Sequence, residues 1–346
     1  MASSINELIR DEVLKRAILT DRLLRRHLNL VSLIFGAAFR DIDRAVIAGE
    51  SVEAAEWTRA EVIAKTQAVR RIFDAAIIEA AGAIEVAAAE SGQAALSFWN
   101  RQLYSSMPDF FQVEMGFGSV NPDSILAIGR GDALGLSPNS WSWKQRREFA
   151  RLAQGELMAA QGFGESVAQA AKRLTSLNQP RGLGERLGRR SALDMTSNSF
   201  IRAAADVEEK FEAQNRDILA GSLFMATLDT RTCQVCGSLD GRLYKPGEPR
   251  PSIPVHNRCR CVYVPQTKTY AELGIDIDDM SPKFRASMDG PIEGGTTYDG
   301  WIRGLDDDRA RDILGPGRHE RWLDLGKPPL GDFVSGDRIL RLDELV

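Results

Sequence analysis

All four cysteines of the chain, Cys233, Cys236, Cys259 and Cys261, fall within one 29-residue window, and His256 stands among them. Thr232-Cys233-Gln234-Val235-Cys236-Gly237 is a CxxC knuckle, a turn that aims two thiolates at one point and frees backbone amides to bond their sulfurs. The second half of a tetrahedral site lies in His256-Asn257-Arg258-Cys259-Arg260-Cys261, separated from Cys236 by the 19 residues 237–255, a spacing familiar in structural zinc sites. Cys259 and Cys261, at i and i+2, share one side of an extended strand with Arg260 opposite, while His256 and Cys259 form an HxxC turn. Five donors thus compete for four places, and spacing does not choose among them. The ligand count favours a closed structural Zn2+ site, with a disulfide pair or a catalytic metal or thiol as the alternatives. A catalytic zinc keeps an open position beside an acid or base, whereas the one histidine in this window is itself a candidate ligand. The other two histidines, His27 and His319, are remote in sequence.

The elements that must hold this window are helical on one side and short-stranded on the other. Leu24, Leu28, Val31, Phe35, Ala38, Ile42 and Ala45 alternate steps of four and three, the spacing of an apolar seam on a long helix. Gly49 offers a stop and Ser51 an N-cap, and a second seam follows through Val62, Thr66, Val69, Phe73, Ala76, Ala80, Ala83 and Ala87. The pattern predicts a long antiparallel helical hairpin over 1–105, with Trp57, Ile63 and Ile77 left over to face a partner. An irregular connector follows over 106–140, then helices near 143–158, 164–174 and 184–215. A β-rich, metal-organised knuckle is expected over 223–265, within a larger domain at 141–265. The stretch 266–346 reads as a C-terminal extension of short helices anchored by residues such as Tyr298, Trp301, Trp322 and Phe333, with Asp306-Asp307-Asp308 as a solvated face. The fold class is therefore mainly α with a small α+β zinc-stabilised unit.

Composition sets the outer limits. The 346 residues, 43% hydrophobic and 27% charged, match a folded protein of about two domains. A formal charge of −4, from 44 Lys plus Arg against 48 Asp plus Glu, gives no global field for nucleic acid. Any DNA contact must be local, and the weak candidates are Lys144, Arg146, Arg147, Arg181, Arg186, Arg189 and Arg190. The N-terminal stretch carries early charges and the chain has no apolar run of about 18 residues, so secretion and membrane spanning are disfavoured. Neither a nucleophile elbow nor a phosphate-binding glycine loop is present.

Asp229-Thr230-Arg231-Thr232-Cys233-Gln234-Val235-Cys236, then Leu239-Asp240-Gly241, then His256-Asn257-Arg258-Cys259-Arg260-Cys261 resemble the signature of Mu F-like phage head morphogenesis proteins. That pattern runs D-x-R-T-C-x-x-C, L-D-G and H-P-x-C-R-C, and this chain departs from it by Asn257 at the usual proline. Thr297-Tyr298-Asp299-Gly300-Trp301-Ile302, Ile313-Leu314-Gly315-Pro316-Gly317-Arg318 and Leu340 to Leu345 are similar to the C-terminal extension of such proteins, in the same order. The resemblance covers roughly residues 140 to 346. It implies a non-enzymatic minor head protein, inside the capsid near the portal vertex of the virion and in the host cytoplasm during assembly. Its implied partner is the portal protein, with the major capsid or scaffold protein as a further candidate; the basic residues named above allow weak sequence-independent contact with packaged DNA, and no membrane contact is expected. Its implied role is head assembly and DNA packaging, retention or ejection. The alternatives are a metal-dependent nuclease with a zinc-stabilised finger and a non-specific DNA-binding virion protein.

Overall fold

The hairpin is built from α1 (Ile5–Ile47) and α2 (Arg59–Ser106). In the computed structural model, the described residues are 5–49, 51–106, 127–128, 130–178, 180–269, 271–274 and 284–345. The helices run antiparallel: near the turn the Lys65 Nζ donates to the Val46 carbonyl at 2.7 Å, and at the other end the His27 Nε2 meets Glu90 at 2.9 Å. Lys65 also donates to the Ala48 carbonyl at 2.5 Å, so a buried ammonium satisfies carbonyls that the end of α1 leaves orphaned. Burial pushes that lysine's pKa down, and Glu61 opposes the shift.

The seams are where period placed them. Val31, Phe35, Ala38 and Ile42 are buried on α1, and Val62, Thr66, Val69, Phe73, Ala76, Ala80 and Ala87 on α2. Two local expectations are corrected. Ser51 does not cap α2; a 3-10 turn (Ala54–Glu56) intervenes. The cap is Thr58, whose hydroxyl accepts from the Glu61 amide at 3.2 Å while the Glu61 carboxylate accepts from the Thr58 amide at 2.7 Å. Trp57 and Ile77 are not left over for a partner, being 3% and 0% exposed within the chain's own core, and only Ile63 stays open at 39%.

What covers them is a compact unit formed by 20–93 and 122–203. Its further helices are α3 (Pro138–Gly162) and α4 (Val167–Thr175). Ser137 caps α3 with Pro138 in the first turn, and Ser166 with Gln169 forms a capping box on α4. Phe73 and Phe149 stack at 3.7 Å between centroids in one continuous apolar core that runs from Val31 to Met195. A π-helical segment (Glu185–Arg190) leads into α5 (Ser191–Gln214). It presses Gly188 so close that an added Cβ would lie 2.5 Å from Phe35 and 2.9 Å from Phe73. The connector expected over 106–140 lies largely outside the described residues; its end forms a tight turn bridging Ala133 and Leu136.

The second compact unit comprises 1–19, 94–121 and 204–346. Trp99 of α2 stacks on Phe211 of α5 at 5.6 Å. Beyond α5 the chain enters a three-stranded antiparallel sheet in the order β2-β1-β3, from β1 (Leu219–Met225), β2 (Leu243–Tyr244) and β3 (Val262–Thr267). A short α6 (Gln234–Leu239) lies between β1 and β2 in sequence. After the sheet come the hairpin β4 (Phe284–Ser287) and β5 (Gly290–Glu293), then α7 (Tyr298–Arg303), α8 (Asp307–Leu314) and α9 (Pro316–Asp324). Tyr298, Trp301, Ile302, Leu314, Trp322, Leu330 and Phe333 pack a core of their own with Leu228. Asp306 of the acidic run accepts from the Arg309 amide at 2.9 Å and caps α8, an ordinary helix-start role. Among the described residues, then, the chain is mainly α with small sheets, and no helix is long and apolar enough to cross a membrane.

Candidate metal centre

Asp229 starts the site. Its carboxylate accepts from the Arg231 and Thr232 amides at 3.0 and 3.1 Å, an Asx turn that swings the chain out of the end of β1. The Thr232 hydroxyl donates back to the Thr227 carbonyl at 2.5 Å and closes the loop. Cys233 then sits at the N-cap of α6, its Sγ accepting from the Cys236 amide at 3.4 Å, the amide-to-sulfur bond expected of a zinc knuckle. Gly237 follows because there is no room for more: an added Cβ would stand 2.6 Å from the Tyr298 ring.

The other donors arrive on the chain leading into β3. Arg260 points away from the sulfurs, as the alternation of an extended strand requires, and forks onto Asp229 at 2.5 and 2.8 Å. This pair pins the HxxCxC segment to the DxRT segment. Burial alone would raise the Asp229 carboxyl's pKa, but the Arg260 guanidinium outweighs it and holds the group below its ordinary value.

The five donors converge. The ligand atoms of Cys233, Cys236 and His256 lie within 4.8 Å of one another, as do those of Cys236, Cys259 and Cys261. The Cys236 and Cys259 sulfurs are 3.9 Å apart, close to the edge of about 3.8 Å that a tetrahedron with zinc–sulfur bonds of about 2.3 Å would have. A disulfide requires about 2.05 Å, and all four cysteines are free. The His256 Nδ1 donates to the Asn257 carbonyl at 2.9 Å, which leaves Nε2 as the ring nitrogen whose lone pair is free for a metal.

Charge in the cluster is shared through sulfur contacts. Hydrogen bonding from Cys236, with help from His256, brings Cys233 down to about 4, and Cys259 is lowered as well. Cys236 is pushed up by the same sulfur neighbours, and Cys261 is raised, its burial and the adjacent Cys259 outweighing its bond to Cys236. Contact with Cys233 and then Cys259 raises His256 to about 11. A divalent cation entering such a cluster replaces the shared protons, so binding releases them. The donor set, sulfur-rich with one imidazole, fits Zn2+ better than a hard oxygen-seeking ion.

Beside the centre lies a residue whose role spacing alone does not disclose. Asp240 has a fully buried side chain and accepts four hydrogen bonds, each 2.7 Å: from the Ala226 amide, two Arg285 nitrogens and the Tyr298 amide. It thereby ties the end of β1, the β4 strand and the start of α7 to the turn after α6. The Tyr298 hydroxyl donates to the Asp229 and Thr232 carbonyls at 3.0 and 3.3 Å, and the Gln234 side-chain Nε2 donates to the Leu314 carbonyl at 3.2 Å. The two remote stretches that carry the resemblance interlock here. The Leu239-Asp240-Gly241 stretch was the available signal for Asp240, and Gly241 takes a φ of +82° in the turn after α6.

The basic residues do not form one free patch. Arg146 pairs with Asp74 at 3.3 Å and Arg189 with Glu185 at 2.7 Å. Arg181 is half-buried, whereas Lys144, Arg147, Arg186 and Arg190 are exposed. Arg147 lies over the ring of Trp143, itself 61% exposed, at 5.2 Å. His27 and His319 are buried on α1 and α9, outside the donor cluster. No protein-family model matches the chain, and no curated protein or solved structure matches it either.

Proposed function

We propose that the chain is a structural, non-enzymatic minor head protein of a tailed bacteriophage, held in its C-terminal half by one structural Zn2+ and associated with the portal inside the capsid. The observation that carries this reading is the interlock between the knuckle and the tail, in which Gly237, Asp240 and Gln234 meet Tyr298, Arg285 and Leu314. Such an arrangement uses the motif residues to hold elements together. Cys233, Cys236, His256, Cys259 and Cys261 supply more donors than a tetrahedral ion needs, so no position stays open for water or substrate. Asp229, the carboxylate that opens the knuckle segment, is committed to Arg260. A zinc-finger nuclease would need a histidine outside the ligand set to activate water, and His256 belongs to the cluster.

Co-expression with the cognate portal protein tests the assignment: the two should co-purify, with about one zinc per chain by elemental analysis and no magnesium-dependent cleavage of plasmid. Plasmid cutting that disappears in His256→Ala would favour the nuclease instead. A second reading, sequence-independent contact with packaged DNA, draws on the exposed Trp143 under Arg147 beside Lys144. It requires affinity that falls steeply with salt and is indifferent to sequence.

A further inference from the structure

We propose that a cleft in the second compact unit binds a free α-amino acid with an apolar side chain, its ammonium donating to Glu212 and its carboxylate meeting Lys245 and Arg216. The cleft measures about 210 Å³ and opens between the C-terminal turns of α5, the start of β1 and the turn after β2. None of the five metal-ligand candidates lines it. Glu209, Glu212 and Glu248 line it together with Arg216, Lys245 and Arg250, so it offers both signs of charge.

Much of that charge is already committed. The Glu212 Oε2 accepts from Arg250 at 2.7 Å, and the Arg250 guanidinium lies over the Tyr263 ring at 4.0 Å, which fixes one wall. The Glu248 carboxylate accepts from the Lys245 amide at 3.0 Å, and the Glu248 amide donates to the Lys245 carbonyl at 3.0 Å, closing a turn in which Gly247 takes a φ of +83°. Glu248 also pairs with Arg242 at 3.5 Å. What stays uncommitted is one acceptor inside and two cations at the mouth. The Glu212 Oε1 is almost closed to solvent and has no hydrogen-bond partner, the Ser222 hydroxyl lying near it but beyond bonding reach. Arg216 and Lys245 are exposed, without an ion-pair partner among the described residues.

A buried carboxylate oxygen without a donor is destabilising until one arrives, and burial pushes the Glu212 pKa up against the pull of Arg250. The side chain keeps 13% of its surface open, and a carboxylate's terminal torsion is soft enough to turn Oε1 toward a donor. An ammonium supplies the missing N–H and keeps the carboxylate ionised. The ligand's own carboxylate, one carbon away, then meets Lys245 and Arg216, while Ala213, Leu219 and Pro246 give an apolar side chain a surface to lie against.

Calorimetric titration of the full chain tests this with L-leucine and its two halves, isoamylamine, which lacks the carboxylate, and isocaproate, which lacks the ammonium. L-leucine should bind saturably and raise the thermal midpoint, and each half should bind at least about 10-fold more weakly, since each forgoes a charge-assisted contact. Lys245→Ala combined with Arg216→Ala should weaken L-leucine by about 10-fold and leave isoamylamine unchanged. Glu212→Gln should weaken L-leucine and isoamylamine but not isocaproate. Absence of saturable L-leucine binding to the unmutated chain would overturn the proposal, as would full-strength binding by the double variant. Either half binding as tightly as L-leucine would overturn it too, marking a site for one sign of charge. Should Glu212→Gln fail to fold, the half-ligands on the unmutated chain and the double variant at the exposed mouth still decide.

Discussion

The two compact units hold themselves together by different physics. In the helical unit, Val31 to Met195 form one apolar core in which aromatic rings from several helices touch, as Phe35 does Phe73 and Phe73 does Phe149. The C-terminal unit has an apolar cluster too, but its turns and short strands are organised by groups that are costly to bury alone: five metal-ligand candidates, Asp240 with Arg285, and Asp229 with Arg260. Apolar packing degrades by degrees, because each lost methylene removes its own share of contacts. A buried charge or thiolate loses its justification all at once when its partner goes. Short elements such as the two-residue β2 and the six-residue α6 can persist only where such a partner exists.

This contrast can be broken in order of expected effect. Removing the metal, or replacing Cys236 with Ser, should unfold the region after Leu219, because the binding free energy is folding free energy for a unit of this kind. Limited proteolysis with zinc analysis should show cleavage confined to the C-terminal half and intact fragments from the helical unit. Equal protection of both halves without zinc would end the distinction. Asp240→Ala should cost about 3–5 kcal/mol, since it strands the Arg285 guanidinium, only 9% exposed, in the interior. Chemical denaturation should register it as a lowered midpoint for the C-terminal transition alone.

The helical unit should respond more mildly to a single crowding change. Gly188→Ala pushes a methyl toward Phe35 and Phe73 and should cost about 1–3 kcal/mol while leaving zinc content unchanged. The smallest effect is electrostatic. The folded Asp229 carboxyl is held below its ordinary pKa by Arg260, so its contribution is present above the unfolded-state value near 4 and disappears as pH falls through the lower folded value. Asp229→Asn should therefore flatten the acid side of the stability curve measured by thermal melts, with little change in its slope near neutrality.

Periodicity made the hairpin legible, because Val31, Phe35, Val69 and Phe73 repeat at helical spacing and any partner surface must lie along that stripe. It could not assign Trp57 and Ile77, since whether an apolar side chain off the seam is bare depends on a third element, and here the unit that includes α3 and α4 supplies the cover. The α2 boundary was misplaced for a local reason: Ser51 and Thr58 are both competent caps, and the 3-10 turn between them decided for Thr58. Of the seven basic residues, charge alone could not separate Arg146 and Arg189, which have acidic partners, from the exposed Lys144, Arg186 and Arg190.

For the candidate site, the sequence by itself determined which atoms are available and how they pair locally. A CxxC turn brings two sulfurs together, and i, i+2 spacing on an extended segment brings two more, because these distances are set by backbone geometry within a few residues. Only the tertiary structure decided that the two halves meet and that Asp240 is the knot joining β1, β4 and α7. Those facts depend on contacts between residues 14 to 58 positions apart, whose closure is governed by the free energy of the whole unit rather than by local geometry.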